Sequence, residues 1–565
     1  MIGKKEGIRP VVCSIGISIA AAVAARIFLM QTFADAQEGR YYAMASGILG
    51  SREAALSGQS RLLGRVMRLC YSLTGAVPWY TLMLFGGGAA ALAVVCYILC
   101  AQTKHVSALL VQIVLSEYFA IGLMGRLSSV TAACALTTAG MMLLYHISCS
   151  WRTRFPALAA AGCALLAGRL LHPGFFQICF WGMAAAISVQ LLVGNRAGNE
   201  KADRSVKSAA AGGRFRAVGG FLVTAFAILV LTALVNRIFD THSSAKEWYE
   251  FRDQAELAAD LHAYGLPEYE ENRELYQDLG ISRDTWRFFH DTGNYDYEVL
   301  TVDAMRALTA RRQHPVFSVS SVKAWAEAVT ERLAKSACFS GAVTIVLLCV
   351  ILGRWKLYQL LLLMAEWLLC GGLWYASWCR MQAGASGGNG MCFLLAALCV
   401  LSLSRSEMEQ IDARGLRLCV ICAGILCLYF LRDERRSEGA FIRQRWNTNY
   451  GLLAQIRSDP EHFYFRKSGV LSYENCADPW QRNVTSVAYN TAFLGMEDLA
   501  PEDRMWLAQE YQVGDPWRDM IGNEKVLLID DDIDQTLRYL RKQYGRKVRA
   551  EVVGTLDDRS VYRIR

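Results

Sequence analysis

One pattern constrains this chain before any other: runs of about twenty apolar residues, separated by short charged loops, recur from near the N-terminus to about residue 431. A hydrocarbon layer about 30 Å thick takes roughly 20 residues of helix to cross. Lipid offers the backbone no hydrogen-bond partner, so each such run is confined to a helix. Eleven runs qualify, at about 11–30, 78–100, 106–125, 127–147, 156–172, 174–194, 217–237, 337–353, 357–378, 391–404 and 415–431. With 565 residues, of which 53% are hydrophobic and 19% charged, the chain is too long and too apolar for one soluble globule. The expected fold is an α-helical polytopic membrane protein of about 11 transmembrane helices, with a helical extracytoplasmic insertion and a small C-terminal α/β domain.

The apolar runs divide the chain. Residues 1–30 form an N-terminal tail and first span, 31–77 a polar loop with an amphipathic helix, and 78–237 spans two to seven. Residues 238–336 read as a helical segment, 337–431 as spans eight to eleven, and 432–565 as the α/β domain. In that last part FYFRKSG and KVLLID have strand character, IDQTLRYLRKQYG reads as a helix, and KVRAEVVGTLDDRSVYRIR reads as a hairpin turning at Asp557 and Asp558.

Charge sets the expected orientation. The net charge of +8 raises the question of a nucleic-acid partner, but the basic residues concentrate in alternate loops, the distribution expected of cytoplasmic loops in a membrane protein. Lys4, Lys5 and Arg9 precede the first span, and the linkers carrying Lys104, Arg152 and Arg154, NRAGNEKADRSVKSAAAGGRFR, Arg354 and Lys356, and SRSEMEQIDARGLR fall on the same side. The N-terminus is therefore placed in the cytoplasm, with 31–77, 238–336 and the C-terminal domain outside. A cleaved signal peptide is the competing reading of the N-terminus; Arg26 and the following IFLM instead extend that segment into a full span. Of the eighteen cysteines only Cys476 falls in the C-terminal tail, and the others lie mostly within apolar runs, where a thiol packs as a small hydrophobe rather than joining a disulfide framework.

Several residues carry possible chemistry. Asp35 and Glu38 follow the first span directly, where a carboxylate can bind a divalent cation or accept a proton from an attacking hydroxyl; the plainer reading is two acids at a helix end meeting water. In SGQSRLLGRVMRLCYSL, Arg61, Arg65 and Arg68 share one face of a predicted amphipathic helix. Such a helix lies in a membrane interface, and its guanidinium groups match phosphate oxygens, whether of lipid headgroups or of a lipid-linked substrate. Within the bilayer, Glu117 and Glu366 lie deep in their spans, while Arg26, Arg126 and Arg169 lie toward outer helix ends. Ionisable groups there are costly and mark either a polar cavity or ion pairs between helices. CVIC at Cys419 to Cys422 sits inside an apolar run and reads as packing. LLIDDDID reads as a strand entering a helix capped by Asp532, with Gln535 at the third position, rather than as an acidic pocket. The chain has no GxxxxGK loop, HExxH pair or nucleophile elbow.

The order of a first span, an acidic outer loop with an amphipathic helix, many further spans and a C-terminal α/β domain resembles the GT-C superfamily of membrane glycosyltransferases. DAQEGRYYAMASGILG, LLGRVMRLCYSLTGAVPWYTLMLF and ENRELYQDLGISRDTWRFF also resemble a group of bacterial polytopic membrane proteins, a likeness that brings no activity with it. The superfamily resemblance implies transfer of a sugar from a polyprenyl-phosphate-linked donor to a cell-envelope acceptor, with membrane lipids and that donor as partners and no nucleic acid. It implies that Asp35 is the base or a divalent-cation ligand, and that Arg40, Arg61, Arg65 and Arg68 supply the groups holding the donor phosphate. Ala36 and Gln37 stand where adjacent or alternating acids are commoner. A transporter or flippase for lipid-linked saccharides, using Glu117 and Glu366, and a noncatalytic membrane scaffold are the alternatives.

Overall fold

The computed structural model describes residues 2–34, 36–47, 59–102, 107–150, 155–193, 204–241, 265–311, 336–352, 357–381, 385–403, 451–467, 478–480, 490–495, 501–545, 547–556 and 559–565, with residue 499 and scattered positions in 253–261, 319–330 and 421–429. The chain forms two compact units: Met1–Ala34, Thr81–His242 and Pro315–Gly439 make the first, and Asp35–Tyr80, Ser243–His314 and Ala440–Arg565 the second.

The first unit is a bundle of apolar helices. Among the described residues, five are long and apolar enough to cross a membrane: Val11–Phe28, Trp79–Ala101, Ser129–Ser148, Pro173–Leu192 and Arg216–Val235. Five shorter apolar helices join them: Leu110–Met124, Phe155–Leu171, Ala337–Val350, Gln359–Tyr375 and Gly387–Ser402. These ten follow the first ten apolar runs; the eleventh, 415–431, falls largely outside the described residues. Several helices keep large apolar side chains exposed, among them Val12, Ile19 and Ile27 on the first and Val223, Phe226 and Leu231 on the one carrying Arg216–Val235. Such faces are unfavourable in water and suited to lipid, so the chain is a multi-pass membrane protein.

We number the elements α1 (Ile2–Phe28), β1 (Thr32–Phe33), α2 (Ala36–Ser46), α3 (Arg61–Leu73), α4 (Trp79–Gln102), α5 (Ser107–Met124), β2 (Arg126–Leu127), α6 (Ser129–Ser150), α7 (Phe155–Leu171), α8 (Pro173–Val193) and α9 (Arg204–Thr241). Helix α9 is 38 residues long, so the second half of the basic linker expected before span seven is helical; Ala, Arg and Lys in RSVKSAAAGGRFR favour that continuation. Small residues set the crossing of α6 and α7. A Cβ added at Gly168 of α7 would meet Thr137 Oγ1 at 2.5 Å and the Ala133 carbonyl at 3.1 Å, and one at Gly140 of α6 would meet Leu165 Cγ at 2.7 Å. Only glycine lets these two backbones approach so closely.

Where α1 ends, a short parallel bridge takes over: β1 pairs with β2 in the register Thr32↔Arg126 and Phe33↔Leu127. The Thr32 N–H donates to Gly125 O at 3.0 Å and the Ala34 N–H to Leu127 O at 2.9 Å. The chain leaving the first span is thus held to the end of α5.

In the second unit, residues 258–308 and 463–564 share one apolar core in which Tyr276, Phe289, Leu300 and Met305 join Phe465, Trp517, Leu528 and Leu540. The expected helical segment 238–336 is therefore divided: 243–314 belong to this unit and 315–336 to the first. Strands β3 (Phe463–Arg466), β4 (Thr491–Phe493), β5 (Val526–Ile529), β6 (Ala550–Leu556) and β7 (Arg559–Ile564) form a sheet in the order β4-β3-β5-β7-β6. Pairing is parallel across β4, β3 and β5 and antiparallel across β5, β7 and β6. The hairpin residues Asp557 and Asp558 lie outside the described residues. The helix Ile533–Gln543 is capped as its sequence implies, Asp532 accepting from the Gln535 N–H at 3.4 Å.

A buried acid binds the two segments of this core. Asp296, fully buried, accepts from the Tyr539 hydroxyl at 2.6 Å and the Tyr544 hydroxyl at 2.7 Å. Burial and the Asp296 charge raise both phenols well above their ordinary value, so they remain donors at physiological pH. Replacing Asp296 with Ala leaves two buried hydroxyls without this acceptor. It is expected to cost about 3 kcal/mol or more, and Asp296→Asn less, as read by denaturant or thermal unfolding of the full chain in detergent.

A second carboxylate has a sharper pH signature. Asp515 accepts from the Arg518 N–H at 2.7 Å to cap the short helix Pro516–Asp519, and burial, aided by Asp296 and Glu298, pushes its pKa up to about 6. Between about pH 4 and 6 the unfolded chain gives up this proton before the folded one does, so Asp515 makes stability fall as pH rises through that window. Asp515→Asn keeps a cap acceptor and should flatten that part of the stability profile; an unchanged slope counts against the assignment.

Candidate functional site

The site is built from the loop between the first two spans. Asp35 itself lies outside the described residues; its chain neighbours are Ala34, bonded to Leu127, and Ala36, the first residue of α2. Helix α2 buries Tyr41, Tyr42, Met44 and Ala45 and packs against α3. Its acid, Glu38, is only 3% exposed. The Tyr80 hydroxyl donates to Glu38 Oε2 at 2.7 Å and accepts from Gln59 Nε2 at 2.6 Å. The Tyr80 N–H, one of the donors left open in the first turn of α4, finds the Tyr71 hydroxyl at 3.1 Å. Burial raises the Tyr71 phenol above its ordinary range, keeping it a neutral hydroxyl. Glu38 is therefore the acceptor at the end of a buried Gln59–Tyr80–Glu38 chain rather than a carboxylate open to water.

Helix α3 has three faces. Leu63, Gly64, Met67 and Tyr71 are buried, whereas Val66, Leu69 and Leu73 form an exposed apolar stripe, and the arginine face lies between the two. The arginines are graded along the axis: Arg61 is 5% exposed, Arg65 half-buried and Arg68 exposed. Ser60 caps the helix, accepting from the Leu62 N–H at 3.3 Å. A basic residue in the first turn opposes the helix dipole, so tertiary surroundings rather than helix preference account for the position of Arg61. Arg40, on α2, is half-buried.

The ionisable groups of the bundle have different surroundings. Gln190 Nε2 donates to Glu366 Oε2 at 3.1 Å and to Ser402 Oγ at 2.9 Å, so Glu366 belongs to a polar contact joining α8 to the helices Leu357–Met381 and Ala385–Leu403. Glu117 is half-buried on α5, and its Oε2 accepts no hydrogen bond among the described residues. Arg169 stands 5.7 Å from the Phe176 ring centroid, Arg126 sits in the β1–β2 bridge, and Arg26 is exposed on α1.

Asp530 at the end of β5 is buried, 3.4 Å from Lys467 Nζ and bonded by Thr536 Oγ1, while Asp532 serves as the helix cap. Cys422, in the apolar CVIC read as packing, is exposed, and Cys419 lies outside the described residues. Among the described residues no group of three His, Cys, Asp or Glu side chains has a metal-binding arrangement.

Sequence reasoning missed Tyr80, Gln59 and Tyr71. A tyrosine opening a span reads as a member of the interfacial aromatic belt, and nothing local shows that its hydroxyl reaches back 42 residues to Glu38. Tyr80→Phe should destabilise the protein by about 1–3 kcal/mol. Paired with Glu38→Gln in a double-mutant cycle, it should show a coupling above about 0.5 kcal/mol; additive losses would mean that the two groups do not interact.

No family model matches the chain, and no curated protein matches it. Among solved structures, the chain is similar to ArnT from Cupriavidus metallidurans in the apo state, at 13% identity and a TM-score of 0.38, over 100% of this chain and 98% of that one. It is also similar to ArnT from Cupriavidus metallidurans bound to undecaprenyl phosphate, at 13% identity and a TM-score of 0.36, over 98% and 97% of the two chains.

Proposed function

We propose that the protein is an integral membrane glycosyltransferase that moves a sugar from a polyprenyl-phosphate-linked donor to a cell-envelope acceptor, with loop 31–77 on the extracytoplasmic side. The observation that carries this reading is helix α3, which presents a graded arginine face between a buried face and an exposed apolar stripe. An apolar stripe suits acyl chains and a guanidinium face suits phosphate, so one helix offers both halves of a lipid-phosphate ligand.

In this mechanism the acceptor hydroxyl attacks the anomeric carbon of the donor sugar. The bond from that carbon to the phosphate oxygen breaks, and its electron pair leaves with the polyprenyl phosphate. Asp35 takes the hydroxyl proton as general base. Arg61, Arg65 and Arg68, with Arg40 beside them in the loop sequence, stabilise the charge gathering on the departing phosphate. Glu38 acts through Tyr80 as a positioning residue that holds α2, and with it the chain following Asp35.

The test uses full-length protein in proteoliposomes with a sugar linked to undecaprenyl phosphate, the lipid held in the second ArnT structure. Asp35→Asn should lower kcat by about 10²–10⁴-fold with unfolding unchanged, and Arg65→Ala should chiefly raise KM for the donor. Full turnover by Asp35→Asn removes the base. Absence of transfer by the wild-type chain, together with proton-coupled solute flux abolished by Glu366→Gln, would instead establish a transporter.

A further inference from the structure

The second unit contains a cavity that the proposed reaction does not use. Its volume is about 330 Å³, and Gln254, Tyr297, Glu298, Arg504, Asp515 and Arg518 contribute to its lining. That volume lies at the lower end of the range for small-molecule sites, about 300–1,000 Å³. The residues come from both chain segments that share the unit's core, so the cavity exists only once those segments have packed.

One wall is fixed in advance by its own hydrogen bonds. Gln512 has φ of 58°, in the left-handed region that non-glycine residues seldom occupy. The N–H groups of Gly514 and Asp515 both donate to Asp519 Oδ2 at 2.8 Å, and Asp515 Oδ1 in turn accepts from the Arg518 N–H. The loop is therefore held in one conformation from both sides.

The charges in the lining are largely matched. Arg518 Nη1 reaches Glu298 at 2.8 Å and its Nε reaches Asp519 at 2.8 Å, while Arg504 donates from Nε to the Leu499 carbonyl at 3.2 Å and from Nη1 to Gln254 Oε1 at 3.4 Å. With both guanidinium groups already facing acceptors, the cavity is poorly suited to an added anion. Guanidinium groups beside its carboxylates make it equally unsuited to a metal ion. What it presents instead is a mixture of carboxylate, amide and guanidinium groups beside the aromatic surface of Tyr297. Hydroxyl groups, which donate and accept at once, on a ring with an apolar C–H face are the chemistry that matches such a lining.

We infer that this cavity is a binding site for a neutral saccharide of one or two rings, separate from the loop bearing Asp35. The inference does not depend on the transfer reaction proposed above, since the site needs no donor lipid and no base.

The experiment uses full-length protein in nanodiscs, with lactose, cellobiose and N,N′-diacetylchitobiose as probes, read by saturation-transfer-difference NMR and titration calorimetry. Gly514→Leu fills the space without altering charge; a Cβ there meets only Asp519 Oδ2, at 3.6 Å, which is ordinary contact. Gln254→Leu is the second variant and removes an amide from the lining. Saturable binding of at least one probe to the wild-type protein, weakened at least tenfold in either variant at unchanged unfolding temperature, is the expected result. The proposal is overturned if none of the three saccharides saturates, if both variants bind as the wild type does, or if inorganic phosphate competes for the site.

Discussion

Hydrocarbon cannot hydrogen-bond to the peptide group, and the rest of this structure follows from how the chain meets that demand and where it stops needing to. Inside the bundle each backbone is closed into a helix. At the end of α1 the helix gives way to a two-residue bridge with the chain leaving α5, and the N–H groups of Thr32 and Ala34 find the carbonyls of Gly125 and Leu127. Further on, the same demand at the start of α4 is met in part by a side chain, the Tyr71 hydroxyl receiving the Tyr80 N–H. The buried chain from Gln59 through Tyr80 to Glu38 joins α2 to that helix start.

The second unit obeys a different economy. Its helices at 273–311 are short, and its sheet has strands of three to seven residues. Together they bury a continuous cluster in which Phe288 stacks on Tyr539 and meets Trp517 edge-on. Asp296 supplies the specific contact, because two tyrosine hydroxyls from the C-terminal segment must find one carboxylate. Apolar burial gives this core most of its stability but little direction; the buried acid selects the register in which the two segments meet.

Much of this was legible in the chain itself, for reasons that differ from element to element. The ten described apolar helices follow runs of hydrophobic residues because their composition alone answers the requirement of a bilayer. The cap at Asp532 was readable because an N-cap depends on residues three apart. The arginine face of α3 follows from helical periodicity, but the gradation from buried Arg61 to exposed Arg68 does not. Glu38 was visible as an acid beside a span, yet its chemistry is set by Tyr80, whose reach no local pattern encodes. Glu366 is a similar case: its place in a span marked it as costly, while only packing could supply Gln190 and Ser402 as its neighbours.

The amino-acid sequence by itself determined that the chain is a multi-pass helical membrane protein, where its apolar helices and four of its C-terminal strands lie, and which charged residues follow its first span. These properties depend on composition and on spacings of a few residues, over which the physics is local. Tertiary structure alone decided that residues 258–308 share a core with the C-terminal sheet, that Glu38 is buried against Tyr80, and that Gln254 and Asp515 line one cavity. Those outcomes join groups tens to hundreds of positions apart, and only the packing of the folded chain chooses among the many pairings that its composition permits.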